Sequence, residues 1–168
     1  MRGTALAAQG QGVEGIAQMR QGLAALRATG TAVGMPRYLA WLAEAYGQVG
    51  QVDEGLHLLA EALTIVDTTG ERFYEAELHR LHGELLLRQA VPEAPAAEAC
   101  FQRALDVARH QQAKSWELRA AMNLARLWQQ QGKRDEARAL LAEVYDWFTE
   151  GFDTADLQDA KALLEELA

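Results

Sequence analysis

Residues 38–70, YLAWLAEAYGQVGQVDEGLHLLAEALTIVDTTG, decide the fold. In the first half Tyr38, Leu39, Leu42, Ala43 and Tyr46 recur at helical intervals, and Leu56, Leu59, Leu63 and Val66 do so in the second. Each set forms one apolar stripe on an α-helix. Gly50-Gln51 separates the two segments, and Thr69-Gly70 closes the second. Glycine at such a site takes the left-handed conformation that ends helices. Gly55 lies early in the second helix, where a small residue lets two backbones approach. The stretch therefore reads as two antiparallel helices joined by a short turn.

The unit recurs with a period of about 40 residues. Gly10-Gln11, Gly50-Gln51 and Gly132-Lys133 mark equivalent turns, and Gly15, Gly55 and Ala137 stand five residues beyond each glycine. Thr29-Gly30, Thr69-Gly70 and Glu150-Gly151 close the second helices. The third unit, Glu71 to His110, places Phe73, Leu78, Leu81 and Leu85 on its first helix and Ala97, Phe101, Ala104, Leu105 and Ala108 on its second. Its two extra residues fall in the turn Val91-Pro92-Glu93-Ala94-Pro95, where insertion costs little. The pattern predicts repeats over 1–30, 31–70, 71–111 and 112–151. It predicts helices over 2–9, 13–28, 33–48, 53–68, 71–89, 95–110, 113–131, 134–148 and 154–167. The last, introduced by the N-cap pair Asp153-Thr154, carries Leu157, Ala160, Leu163, Leu164 and Leu167 on one face and is expected to cap the stack. Met1 falls inside a repeat, so the chain reads as the C-terminal piece of a longer array. Self-association is expected at that end, through Ile16, Met19, Leu23 and Leu26.

Composition narrows the function. Of 168 residues, 49% are hydrophobic and 24% charged, and helix formers dominate, so the chain is an all-α globular domain. A net charge of −8 with no Lys/Arg-rich run argues against nucleic acid as a partner. No apolar stretch approaches the ~20 residues of a membrane span, and no leader pattern is present, so the expected location is cytoplasmic. Cys100 is the only cysteine, which excludes an intrachain disulfide.

The repeat spacing resembles the tetratricopeptide family. Leu42-Ala43-x-x-Tyr46 with Gly55, Leu59 and Ala62-Leu63 matches that pattern, as do Ala97, Phe101 and Ala104-Leu105, and Leu124-Ala125-x-x-Trp128 followed by Ala137 and Leu141. The period exceeds the usual ~34 residues. More closely, Leu39 to Gly47, Tyr74 to Leu81, Ala125 to Gly132 and Trp147 to Thr154 resemble the C-terminal region of large bacterial signalling ATPases and adenylate/guanylate cyclase-type regulators. The resemblance implies a right-handed α-α superhelix of about four helix pairs with a C-terminal capping helix. It also implies protein–protein interaction or scaffolding, as the regulatory arm of a larger protein.

No residue set suggests catalysis. Gly10-x-Gly12-x-x-Gly15 spells a dinucleotide fingerprint, but a helix rather than a strand precedes it, and Gly50 and Gly55 repeat its outer glycines as turn and packing positions. His79 and His82 with Glu75 make an incomplete metal set. Cys100 has no histidine placed to activate it and reads as a small core residue. Asp153, Asp156 and Asp159 lack the glycine and alternating ligands of a calcium loop and suit a helix N-terminus. No metal and no cofactor are expected. Of the tryptophans, Trp128 is expected in the core.

The strongest candidate site is the groove lined by the first helix of each pair. The repeat places Arg37, Trp41, Glu44 and Gln48 there, then Glu77, Arg80, Glu84 and Arg88, then Arg119, Asn123, Arg126 and Gln130. Two readings follow. Arg119, Asn123 and Arg126 form a surface that grips peptide carboxylates, guanidinium being suited to bidentate contact. Alternatively the arginines pair with Glu44, Glu77 and Glu84 as a solvated inner face. The rival function is an inducer-sensing domain with a small molecule in the same groove.

Overall fold

The computed structural model describes residues 12–30 and 33–168, and the expected first helix, 2–9, and the Gly10-Gln11 turn lie outside them. Eight helices follow among the described residues, with no strand: α1 (Gly12–Ala28), α2 (Met35–Gln48), α3 (Val52–Thr69), α4 (Glu75–Leu87), α5 (Ala94–His110), α6 (Lys114–Gln130), α7 (Arg134–Tyr145) and α8 (Ala155–Glu166). Each helix packs on the next. In addition α2 touches α4, α4 touches α6 and α6 touches α8, so these four form an inner row backed by α3, α5 and α7. The C-terminal helix thus completes the inner row while covering the end of the stack.

The stripes read from the sequence are the core. Leu39, Leu42, Ala43, Leu59, Ala62, Val66, Leu78, Leu81 and Leu85 are buried, and so are Ala97, Phe101, Ala104, Leu105 and Ala108. Leu157, Ala160, Leu163 and Leu167 seat α8. The core runs unbroken, because Leu56 packs against both its N-terminal and C-terminal halves. Gly83 permits a close contact, since a Cβ there would stand 2.5 Å from the Phe101 ring. That approach explains how Phe101 reaches 0% exposure.

Turn chemistry sets the helix ends. Gly70 adopts φ +73° and its N–H reaches the Val66 carbonyl at 2.9 Å, which closes α3. The α5–α6 turn lacks a glycine, and Gln112 takes the left-handed conformation at φ 54°. That conformation costs a non-glycine residue roughly 1 kcal/mol. The Ala113 N–H to Ala108 carbonyl bond at 2.9 Å helps to hold it.

Four expectations are corrected. Helix α4 begins at Glu75 rather than 71, because residues 71–74 serve the neighbouring units: the Glu71 carboxylate accepts the Gly34 N–H at 2.9 Å, and the Arg72 carbonyl accepts the Gln111 side chain at 2.7 Å. Phe73 is therefore not on the core stripe but 67% exposed, and Tyr74 turns inward instead. Helix α7 stops at Tyr145, leaving Trp147 exposed with Phe148 edge-on at 5.2 Å. Thr154 is the N-cap residue of α8, yet its hydroxyl donates back to the Gly151 carbonyl rather than capping the helix. Apart from these corrections, Ile16 and Leu23 of α1 are buried in the core cluster with α2 and α3, Met19 and Leu26 pack partly buried against it, and Val13 is exposed.

Candidate functional site

Helical spacing puts Arg37, Trp41, Glu44 and Gln48 on one face of α2, and Glu77, Arg80, Glu84 and Arg88 on one face of α4. Arg119, Asn123, Arg126 and Gln130 share a face of α6. Because the three helices are neighbours in the inner row, these faces merge into one surface. Cross-helix bonds tie them together.

Arg80 is the hub. It is 7% exposed and forms a fork with Glu77, Nε to Oε2 at 2.7 Å and a terminal nitrogen to Oε1 at 2.8 Å. Its other terminal nitrogen reaches Glu84 Oε1 at 2.9 Å and the Asn123 side-chain oxygen at 3.2 Å. Asn123 returns its amide N–H to Glu84 at 2.9 Å. These contacts fix the orientation of the amide. Burial opposes a charge on Arg80, but its hydrogen bonds to Glu77 and the carboxylates of Glu77, Glu84 and Glu44 outweigh it and raise the pKa above the ordinary arginine value.

Arg119 extends the network along the row. It donates to Glu77 on α4 at 3.0 Å and pairs with Asp156 on α8 at 3.1 Å. Arg37, Glu77 and Arg119 occupy equivalent positions on three successive inner helices, so the sign of charge alternates along them. Arg37 breaks the chain of contacts. Its guanidinium stacks over the Trp41 ring at 5.1 Å and the Tyr38 ring at 5.2 Å, and its Nε is buried without a partner.

An aromatic ridge borders the network. The Trp41 indole N–H donates to the Tyr74 hydroxyl at 3.1 Å, and the Tyr74 ring meets Trp116 edge-on at 5.3 Å. Arg119 lies over Trp116 at 5.5 Å. Burial, with the nearby Glu77 carboxylate, pushes the Tyr74 hydroxyl pKa up.

Of the candidate carboxylate-gripping residues, Arg119 and Asn123 are thus held by Glu77, Asp156, Glu84 and Arg80, while Arg126 is exposed and has no partner among the described residues. Glu44 is exposed and makes no ion pair or hydrogen bond with the described residues. Partial desolvation by the walls of the groove raises its pKa; Arg80 opposes this, and Glu77 and Glu84 add to it. Arg88 is likewise exposed at the end of α4. The contributions of Asp156, Tyr74 and Trp116 were not assigned from sequence.

Elsewhere, His79 and His82 are partly buried, and burial lowers both pKa values. Among the described residues no three His, Cys, Asp or Glu side chains are grouped to hold a metal ion. Burial pushes the Cys100 thiol pKa up, away from nucleophilic thiolate. Trp128 is only partly buried, its indole N–H donating to Glu98 at 2.8 Å. No described helix is long and apolar enough to cross a membrane.

The inner row has counterparts among solved structures. A kinesin-light-chain-type protein of Podosopora anserina with nearly identical TPR-like repeats superposes with a TM-score of 0.72 at 20% identity, over 98% of this chain and 81% of that one. A point variant of that protein gives a TM-score of 0.74 at 19% identity over the same shares. The fold is a tetratricopeptide-like solenoid. At these identities the likeness shows the fold alone. An uncharacterized protein of Rhizobium meliloti (strain 1021) is 29% identical over 113 residues, which are 67% of this chain but 11% of that protein. No protein-family profile matches the chain.

Proposed function

We propose that this tetratricopeptide-like domain is a non-catalytic interaction module that binds a peptide segment of a partner along the inner face of α2, α4 and α6. The observation that carries this reading is the Glu77–Arg80–Glu84–Asn123 network, buried at Glu77 and Arg80, which holds the inner face in one arrangement before any partner arrives. A face whose side chains are already ordered loses less entropy on binding. Trp41, half-buried on that face, supplies an amphipathic contact of the type enriched in binding hot spots.

The module serves as the regulatory arm of a larger bacterial signalling ATPase or cyclase. Two findings support this: the resemblance of Leu39 to Gly47 and Trp147 to Thr154 to such regions, and a curated relative about nine times longer than the aligned segment. Peptide display followed by titration tests the groove. Trp41→Ala is expected to weaken selected peptides about tenfold or more, while Asp106→Ala on an exposed outer position leaves them unchanged. Equal effects of the two changes would reject the inner face.

The small-molecule reading is favoured by a different feature. An open cleft of about 670 Å³ lies between α1, α2 and α3, lined by Arg20, Leu23, Tyr46 and Glu54 among others. That volume suits a metabolite. A true ligand at ~100 times its Kd is expected to add more than about 2 kcal/mol of stability. A metabolite panel read by thermal shift checks it.

A further inference from the structure

Three equivalent positions on the inner face carry Glu44 on α2, Glu84 on α4 and Arg126 on α6. The middle one is spent inside the protein, since Glu84 accepts from Arg80 and from Asn123, both at 2.9 Å. The outer two are exposed and have no hydrogen-bond or ion-pair partner among the described residues. Glu44 feels Arg80, Glu77, Glu84 and Arg119 only through longer-range electrostatics, which places its carboxylate over the same face as the network. The free charges at these equivalent positions are therefore of opposite sign and sit on the first and third helices of the row.

Spacing turns this polarity into a specification. Adjacent inner helices touch directly, and packed helices lie ~8–10 Å apart, so Glu44 and Arg126 are separated by about two such steps, ~16–20 Å. An extended chain advances ~3.3 Å per residue, which covers that distance in about six residues. Between the two charges lie the paired side chains of Arg80, Glu84 and Asn123, which offer hydrogen bonds to a peptide backbone but little free charge.

We infer that the inner face selects a bipolar peptide: one lysine or arginine set against Glu44 and one acidic side chain set against Arg126, about six residues apart along an extended segment. This rests on the peptide-binding reading of the inner face and adds the chemistry of the partner. Either chain direction satisfies it, because reversing the peptide and exchanging its two charges restores the same complementarity.

The test selects random decapeptides on the full chain and on two charge reversals, Glu44→Lys and Arg126→Glu. Both positions are exposed and unpaired, so unchanged thermal melting of the variants is expected and is measured alongside. The native chain is expected to enrich opposite-charge pairs five to seven residues apart. Glu44→Lys is expected to enrich acidic pairs at that spacing, and Arg126→Glu basic pairs. A peptide selected on the native chain loses roughly three- to tenfold affinity on either reversal, the scale of one exposed charge pair with its repulsive counterpart. Glu44→Gln and Arg126→Gln provide a second pair of variants that abolish the respective preference without reversing it. Peptides that bind without any charge pairing overturn the inference and leave the groove reading standing. Failure of every library to yield a binder overturns both.

Discussion

The centre of the molecule and its N-terminal edge are built from the same repeat but held together differently. Helix α6 buries eight residues, Glu117, Leu118, Ala120, Ala121, Met122, Leu124, Ala125 and Leu127, and contacts α4, α5, α7 and α8. Helix α1 buries Gly15, Ile16 and Leu23, and among the described residues its helix partner is α2. Polar bonding follows the same gradient. The centre holds Arg80 and Glu77 nearly out of solvent, whereas the Arg27–Glu61 pair that ties α1 to α3 is exposed on both sides. Stability in such an array is close to a sum of nearest-neighbour interfaces. Identical motifs therefore carry unequal weight according to their place in the stack.

Removing the hub of the centre is the largest way to break this comparison. Arg80→Ala leaves Glu77 buried without its fork partner and is expected to cost about 3–5 kcal/mol, read as a drop in the urea midpoint. A loss below about 1 kcal/mol, the level of an exposed pair, would mean that water enters the network readily. Replacing Arg80 and Glu77 together with Met and Leu is expected to recover most of the stability, because the pair is costly to split and much less costly to exchange for apolar packing.

Overpacking between the helices of one unit comes next. Ala104 is 1% exposed, one turn beyond Phe101 on α5. Ala104→Leu is expected to cost about 1–3 kcal/mol. The same type of measurement at the edge sharpens the contrast. Ile16→Ala is expected to cost about 1–2 kcal/mol, below the usual range for a core isoleucine, because an edge site can relax. Hydrogen exchange should show α1 opening sooner while α6 protection holds. Equal loss of protection in both helices would show one cooperative unit instead of a graded array.

Acid titrates the outer side of the centre. His79 and His82 have pKa values lowered, both by burial and His79 also by Arg103, against Glu75 and Asp67. The folded state therefore binds fewer protons than the unfolded state below the ordinary histidine pKa of about 6.5. Stability from the neutral rings is complete above that pH and declines as pH falls through and below it. A His79→Gln, His82→Gln variant is expected to show a flatter urea midpoint between about pH 6.5 and 5. An unchanged slope would place both rings in solvent.

The smallest effect separates two arginines of one helix face. Arg126→Ala is expected to change stability by less than about 0.5 kcal/mol, since it is exposed and unpaired. Arg119→Ala is expected to cost more, because it leaves Glu77 and Asp156 each short of a partner. Equal melting temperatures for the two variants would show the Arg119 bridge to be solvated.

The groove residues were legible as a face but not as a state. The period of the repeat assigned Arg80, Arg119 and Asn123 to one face of the first helices, because helical spacing and packing direction follow from the apolar stripe. Whether those groups were free to hold a ligand depended on contacts with Glu77, Glu84 and Asp156 across helices, between residues 37 to 43 positions apart in the chain. Phe73 shows the same limit from the apolar side. Its place in a hydrophobic run suggested the core, but the turn before α4 was committed to contacts with Gly34 and Gln111.

By itself the sequence determined the helices, their pairing and the inner and outer rows, because these depend on local periodicity, breaking glycines and a hydrophobic stripe that has one way to hide. Tertiary structure alone decided which charges survive at the surface. Coulombic pairing falls off over a few ångströms, so a charge without a partner three or four residues away on its own helix is cancelled or left free by the distances that folding sets between helices, which the spacing of letters along the chain does not encode.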